Sequence, residues 1–475
     1  MVANPITPLP KLQLAIAVLI QAAEGLSATV IFPFIPQFVR DTGITGGDER
    51  KTGYWAGILE SIFFIAEFFS VYGWSVASDM VGRRPILLLG PLGLSISLFG
   101  FGLSRTFWGL LFWRCAQGVF NGNIGVVKTV MAEFSDRSNL AHAMSFIPVA
   151  WSSGTTIGPI LGGVLSDPAS HFPALGDLFP LLKTHRYFLP CAAVALICFS
   201  IFVLGWVGLR ETSPIILARR SRAISNANLM PSPETGLLAD SPETGYGTSS
   251  DTTVTSSEAE DERIPALREL LVPRLLIPLL NYGFFCFCQT AYQVLLPLMF
   301  STSIPLGGLG FTPYQIGVVR GIWGLCNTFF QLVLSARIIN FLGPRVAYIF
   351  AFANFALCIG TYPLMSYFAL QAGQVDGWVW TLIVVQGIAN ICISMSYVTV
   401  QMYIVTSSPR PAALSSTNSI AQMVSTILRG LAPFLASALF AFSLEQGSQL
   451  VYIVLLGTVA LGVYTSFWLP EELKV

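Results

Sequence analysis

Three carboxylates and a guanidinium stand where the chain is otherwise apolar. Glu24, Glu60 and Glu67 fall inside the first two hydrophobic runs, and Arg114 inside the fourth. Glu60 and Glu67 lie seven residues apart, two turns of helix, and so share one face. Arg114 begins a stripe with Gln117, Asn121 and Lys128, which follow three, seven and fourteen residues later, close to one helix face. A carboxylate near a fixed cation, both turned away from lipid, can be neutral when occluded and ionised when water or a partner reaches it. That is the chemistry of a proton carrier. The same residues equally suit a static ion pair that orients helices. Glu24, central in its run and without an i±4 partner, is the first candidate for proton coupling, with Glu67 assisting and Arg114 tuning the carboxylate. Glu60 is nearer one end of its run and is expected to reach water.

The second half offers fewer charges, Arg320 and Arg429. Its uncharged polar groups are Asn281, Gln289, Tyr292 and Gln293 in one run, and Gln386, Asn390 and Tyr397 in another. Gln117, Asn121, Asn281, Gln289, Tyr292, Gln293 and Asn390 are candidates to line a substrate cavity. Taken singly, each such residue is more often a helix–helix hydrogen bond. The weight of charge in the first half places proton chemistry there.

What positions these groups is a set of apolar spans. Hydrophobic residues make up 53% of the 475-residue chain and charged ones 11%, against about 25% charged in soluble proteins. Runs long enough to cross a bilayer, about 20 residues, fall near 13–35, 53–77, 84–104, 107–128, 141–165 and 187–209. A second six follow near 275–300, 313–336, 345–368, 379–404, 413–440 and 448–469. The expected fold is therefore an all-α integral membrane protein of twelve helices. Its divisions are a first six-helix bundle over 1–209, a linker over 210–270 and a second bundle over 271–475. The linker is rich in Ser, Thr, Pro, Gly and acid, repeats Ser-Pro-Glu-Thr-Gly at 232–236 and 241–245, and lacks the apolar content for a core. Arg83, Arg84, Arg137, Arg219, Arg220, Arg222, Arg337, Arg345 and Arg410 all fall on the side holding both termini and the linker, which the positive-inside rule makes cytoplasmic. The N-terminus has neither the basic region nor the cleavage site of a signal peptide.

Composition also excludes classes. Net charge is zero, which points away from nucleic acid. The cysteines (Cys115, Cys191, Cys198, Cys286, Cys288, Cys326, Cys358 and Cys392) lie in apolar runs without a CxxC pair and read as packing residues. His142, His171 and His185 are scattered. No metal cluster, Ser/His/Asp set or phosphate loop is evident, so an enzyme is not expected.

Three motifs then carry a resemblance. Between the second and third spans the chain reads Trp74-Ser-Val-Ala-Ser-Asp79-Met-Val-Gly82-Arg83-Arg84-Pro85. This resembles the G-x-x-x-D-x-x-G-R-[KR] loop of the major facilitator superfamily, with Ser75 in place of the first Gly and Met80 where Arg is common. Arg114-Cys-Ala-Gln117-Gly118 resembles the family's R-x-x-x-G motif, linked there to proton transfer. Gly154-Thr-Thr-Ile-Gly158-Pro159-Ile-Leu-Gly162-Gly163 is similar to the G-x-x-x-G-P-x-x-G-G motif of its antiporter branch. Span 1, with Ala23-Glu24-Gly25, and span 4, with Asn121-Gly122, are similar to the zinc-induced facilitator-like and fungal multidrug-exporter branch of the twelve-span drug:proton antiporters. The plant facilitators' cysteine motif and P-E-T-[LH]-H motif are absent, since Arg210-Glu211-Thr212-Ser213-Pro214 ends span 6 without His; this favours an organic solute over zinc.

The resemblance implies proton-coupled export of a small organic compound, drug-like or a secondary metabolite, by two bundles rocking about a midplane cavity. Asp79, Gly82, Arg83 and Arg84 would form an inner latch. Gly154, Gly158, Pro159, Gly162 and Gly163 would shape a closely packed, bent gating helix. Phe32, Trp151, Tyr292 and Trp323 would offer an apolar aromatic surface. Energy comes from a proton gradient, with no cofactor or metal, in a monomer of the plasma or vacuolar membrane. Import of a nutrient on the same fold, or a non-transporting sensor, are the alternatives.

Overall fold

Glycine marks where several of the helical rods stop. The computed structural model describes residues 9–135, 139–171, 177, 179–213, 216–217, 273–407 and 414–471. Among these there is no strand. The linker expected over 210–270 lies outside the described residues from 218 onward, as do both Ser-Pro-Glu-Thr-Gly repeats.

The first half comprises α1 (Lys11–Thr29), a short α2 (Ile35–Asp41), α3 (Thr52–Val81), α4 (Arg83–Leu103), α5 (Phe107–Asn121), α6 (Ile124–Glu133), α7 (Leu140–Val164) and α8 (Phe188–Gly208). The second comprises α9 (Pro273–Ser301), α10 (Pro313–Leu342), α11 (Pro344–Ala372), α12 (Gly377–Thr406), α13 (Leu414–Gln446) and α14 (Leu450–Ser466). Gly82 and Gly343 end α3 and α10 with φ of 117° and 78°, conformations that side chains resist. Thr312 opens α10 with a capping box to Gln315, and Pro313 takes the first helical position. Asp376 caps α12 by accepting from the Val379 N–H at 3.0 Å.

Nine helices among the described residues are long and apolar enough to cross a membrane. The other three expected spans are present as helices with particular departures. Span 4 is split into α5 and α6 at Gly122–Asn123. Span 5, α7, is diluted by Ser152, Ser153, Thr155 and Thr156 around its glycines. Span 12, α14, has 17 residues. Span 1 also departs from expectation: it stops at Thr29, turns through 30–34 and resumes as α2, with Pro36 in its first turn. Inside α10, Gln331–Ser335 winds as a π-helix.

Polarity is inverted relative to a water-soluble protein. Phe69, Tyr72, Val207, Leu332 and Phe341 are each more than three-quarters exposed, whereas Glu24, Arg114, Gln117, Asn121 and Gln386 are at most 1% exposed. Apolar outside and polar inside is the arrangement lipid imposes, so the chain is an integral multi-pass membrane protein. In the first half α1 packs on α7, α4 on α8 and α3 on α5; in the second α11 packs on α12 and α14, and α9 on α13. Two helix pairs join the halves: α3 with α13, and α7 with α10. The second helix of each half thus meets the fifth of the other, as a pseudo-twofold requires.

Among the described residues, the hydrogen bonds between the halves gather toward one end. At the end bearing the 42–51 and 302–312 loops, Arg40 pairs with Glu49 at 2.6 Å and donates to the Ser301 carbonyl at 3.2 Å. Glu49 accepts from the Ser303 N–H at 3.0 Å, and Gln37 donates to the Phe311 carbonyl at 3.3 Å. Deeper in, the Ser61 hydroxyl accepts from the Phe434 N–H at 3.0 Å. At the opposite end, which bears Gly82 and Gly343, each hydrogen bond among the described residues joins groups of a single half.

Candidate functional site

The carboxylates and cations of the spans separate into three clusters. The first is a direct ion pair. Arg114 on α5 is fully buried and pairs with Glu60 of α3 at 3.2 Å. It also donates to Gln117 Oε1 at 2.8 Å and to the Ala28 carbonyl at 3.1 Å, and lies 4.3 Å from the centre of the Phe63 ring. Glu60, expected to reach water, is 3% exposed and is the partner Arg114 takes instead of Glu24. The expectation failed because partners on neighbouring helices cannot be read from spacing within one helix.

The second cluster surrounds Glu24. This carboxylate, 1% exposed, accepts from Gln21 Nε2 at 2.8 Å through Oε2, while Oε1 makes no hydrogen bond. Glu67 and Lys128 are the charged groups that act on it. Glu67, also buried, feels Arg429 of the second half first, then Asn121 and Lys128. Neither Glu24 nor Glu67 has a cation within ion-pair distance among the described residues. Both amide atoms of Asn121 and the Gln117 amide nitrogen are buried and unbonded. Gln117 and Asn121 therefore sit inside the first bundle around the carboxylates.

The third cluster belongs to the second half. Arg320 on α10 donates to the Gln293 carbonyl at 3.4 Å and lies over the Phe32 ring, 5.3 Å from its centre. Tyr292 and Tyr362 stack at 6.2 Å, and neither hydroxyl makes a hydrogen bond. Lys128, Gln289, Gln293, Arg320, Asn390, Tyr397 and Arg429 are all partly exposed despite lying mid-span. Polar groups at that depth with accessible surface must line a cavity between helices, since lipid would not take them.

Asn281 and Trp323 are cavity candidates that the geometry places elsewhere. The Asn281 amide donates to Ile277 and Thr465 carbonyls at 3.0 and 3.3 Å, its Oδ1 accepts from the Thr465 hydroxyl, and Tyr348 donates to its carbonyl. It welds α9 to α14 and has no donor left for a ligand. Trp323, expected at the cavity, is buried against Gly387.

The glycines of α7 lie backbone to backbone with α1. A methyl group at Gly154 would strike the Ala22 carbonyl, at Gly158 the Thr29 hydroxyl and at Gly162 the Val30 carbonyl. Gly163 faces Gly317 of α10 across the joint between halves, and Pro159, buried, presents its carbonyl to the same glycine. The helix turn carrying Glu24 is clasped by this motif, because Gly25 in turn meets the Trp151 carbonyl.

The loop after α3 forms a closed ionic knot. Arg83 bonds Asp79 at 2.5 Å and Glu133 at 3.0 Å, and Arg84 donates to the Trp206 carbonyl at 2.6 Å. Glu211, just past α8, accepts from the Arg83 and Arg84 N–H groups at 2.8 and 3.2 Å. It thus caps the start of α4, where helix N–H groups attract anions. Glu211 and Glu133 were not among the sequence candidates; a carboxylate following each sixth helix was the available signal, since Glu471 likewise bonds Arg345 at 2.7 Å. Glu211→Gln is expected to lower stability by roughly 1.5–3 kcal/mol through loss of charge-assisted bonds. Thermal unfolding in detergent checks this; an unchanged midpoint would show the cap to be dispensable.

All eight cysteines are free thiols. Among the described residues, no group of three or more His, Cys, Asp or Glu is placed to hold a metal ion.

Comparison with known proteins agrees with this architecture. The sequence profile of the Major Facilitator Superfamily matches residues 17–433. An efflux pump of Aspergillus niger is 29% identical over 97% of this chain and 89% of its own length. The zinc induced facilitator 1 protein of Arabidopsis thaliana is 26% identical over 96% of this chain and 91% of its own. The crystal structure of a D-xylose-proton symporter superposes with a TM-score of 0.65 at 14% identity, covering 98% of this chain and 99% of that one.

Proposed function

Because the chain belongs to the major facilitator superfamily and is a transporter, we propose that it exports a small organic compound in exchange for protons. Glu24 is the carrier and Glu67 its assistant. The observation behind this reading is the contrast between two buried carboxylates. Glu60 is held by Arg114 in a direct ion pair, whereas Glu24 has one bonded oxygen, one unbonded oxygen and no cation in contact. A group left half-satisfied in the interior has a chemical use for its second oxygen, and binding a proton supplies one.

Helix contacts support the cycle. Among the described residues, the hydrogen bonds between the halves gather toward the loop end and none lies at the Gly82–Arg84 end, the cytoplasmic side in this reading. Rocking about the α3–α13 and α7–α10 joints would exchange the open end. The efflux names of relatives such as the Aspergillus niger pump favour the outward direction.

The test compares small molecules inside and outside cells that express wild type or Glu24→Gln at matched membrane levels, with acid outside. Wild type is expected to expel at least one compound that the variant retains. A compound that wild type accumulates inside would reverse the direction, and identical profiles for the two proteins would remove Glu24 from the cycle.

A further inference from the structure

The cations of the spans outnumber the carboxylates. Glu24, Glu60 and Glu67 face Arg114, Lys128, Arg320 and Arg429. Arg114 and Glu60 neutralise each other. Lys128 and Arg429 act on, and are acted on by, Glu67, and Lys128 also by Glu24. That leaves Arg320. Glu60 is the carboxylate whose charge reaches it, and Glu60 is already engaged with Arg114. Among the described residues no carboxylate lies within ion-pair distance of Arg320. Its hydrogen-bond partner is one neutral carbonyl at 3.4 Å, and its Cζ lies over the Phe32 ring.

A guanidinium carries five N–H donors arranged to match a carboxylate or phosphate. Leaving most of them unanswered at mid-span is costly unless water or a ligand takes them. Around Arg320 stand further unanswered groups. The hydroxyls of Tyr292 and Tyr362 are buried without a hydrogen bond, as is Gln386 Oε1. Cys358 adjoins the Tyr292 hydroxyl and Gln386 that of Tyr362. Two phenol donors and a guanidinium beside aromatic rings make a receptor for an acidic head joined to a flat apolar body.

We infer that the transported compound is an organic anion whose acidic group is received by Arg320, with Tyr292 and Tyr362 beside it and Phe32 beneath it. This rests on the transport reading above but fixes a property that reading leaves open. Export of such an anion against a proton moves two charges in the direction that an inside-negative membrane favours, so the exchange is electrogenic.

The test uses the full chain in lipid nanodiscs and three probes of one shape: 2-naphthaleneacetate, its neutral amide and 2-naphthaleneethylamine. Wild type should bind the carboxylate at least tenfold more tightly than the amide or the amine. Arg320→Gln should bring the carboxylate down to the level of the amide while leaving amide binding within about twofold, which separates a lost contact from a lost fold. Arg320→Lys should restore part of the preference. Equal binding of carboxylate and amide by wild type, or a carboxylate preference that survives Arg320→Gln, would overturn the inference. The two readings fail separately. Arg320-dependent anion binding with inward accumulation in cells supports the substrate class and defeats export; Glu24-dependent export of a neutral or cationic compound supports export and defeats the substrate class.

Discussion

Arg114→Ala is expected to destabilise the protein by roughly 3–5 kcal/mol, the cost of stranding one member of a buried ion pair. The guanidinium is fully buried and is the counter-charge of Glu60, itself 3% exposed. It also holds Gln117 and the Ala28 carbonyl, so it ties α5 to both α3 and α1. Removing it leaves a carboxylate in an apolar interior with no other cation within ion-pair distance among the described residues. The double variant Arg114→Ala/Glu60→Ala should recover a large part of the loss, because it removes the stranded charge as well. Detergent thermal unfolding of the two single variants and the double variant gives the coupling directly. Additive losses would mean that the pair is not energetically coupled. Transport should not return in the double variant to the extent that stability does, because Gln117 loses the partner that holds it.

The second large effect is expected at Gly162. A side chain there meets the Val30 carbonyl where α1 and α7 lie backbone to backbone. Backbone cannot yield as a flexible side chain would, so Gly162→Val forces the two helices apart. Overpacking of this kind costs roughly 1–3 kcal/mol and occasionally more. The displaced segment follows directly on the helix that carries Glu24, and therefore transport should fall further than stability does. Gly360→Val is the matched control, since a side chain at Gly360 meets nothing within 4 Å. Both variants are assayed for unfolding midpoint and for the export described above. Wild-type behaviour of Gly162→Val would show that α1 and α7 have slack at this joint.

Much of this fold was legible because lipid is a strict solvent. Apolar runs of sufficient length gave the spans, and the motif around Gly82–Arg84 gave the ionic loop. Interruptions inside runs were less visible. Gly122 and Asn123 break span 4, and the Trp74 indole N–H donates to the Val119 carbonyl at 2.6 Å, a contact between helices that no window along the sequence reveals. Span 1 likewise ends early, before Pro33 and Pro36, although its hydrophobicity continues. The site was legible as residue types and not as partnerships. Glu24, Glu67 and Arg114 were recognised as misplaced in lipid, but the choice of Glu60 as the partner of Arg114 depends on how α3 and α5 pack. Asn281 was misplaced for the same reason, since Thr465, its partner, is 184 residues away.

Vesicles from cells making this protein, loaded with a total small-molecule extract of the same cells, test the central claim most directly. A proton gradient is imposed with and without a protonophore, and the contents are followed by untargeted mass spectrometry. Wild-type vesicles are predicted to move at least one compound against the proton flow while the gradient stands, and to stop when it is collapsed; Glu24→Gln vesicles should match empty ones. Gradient-driven movement by Glu24→Gln at the wild-type rate would contradict the account.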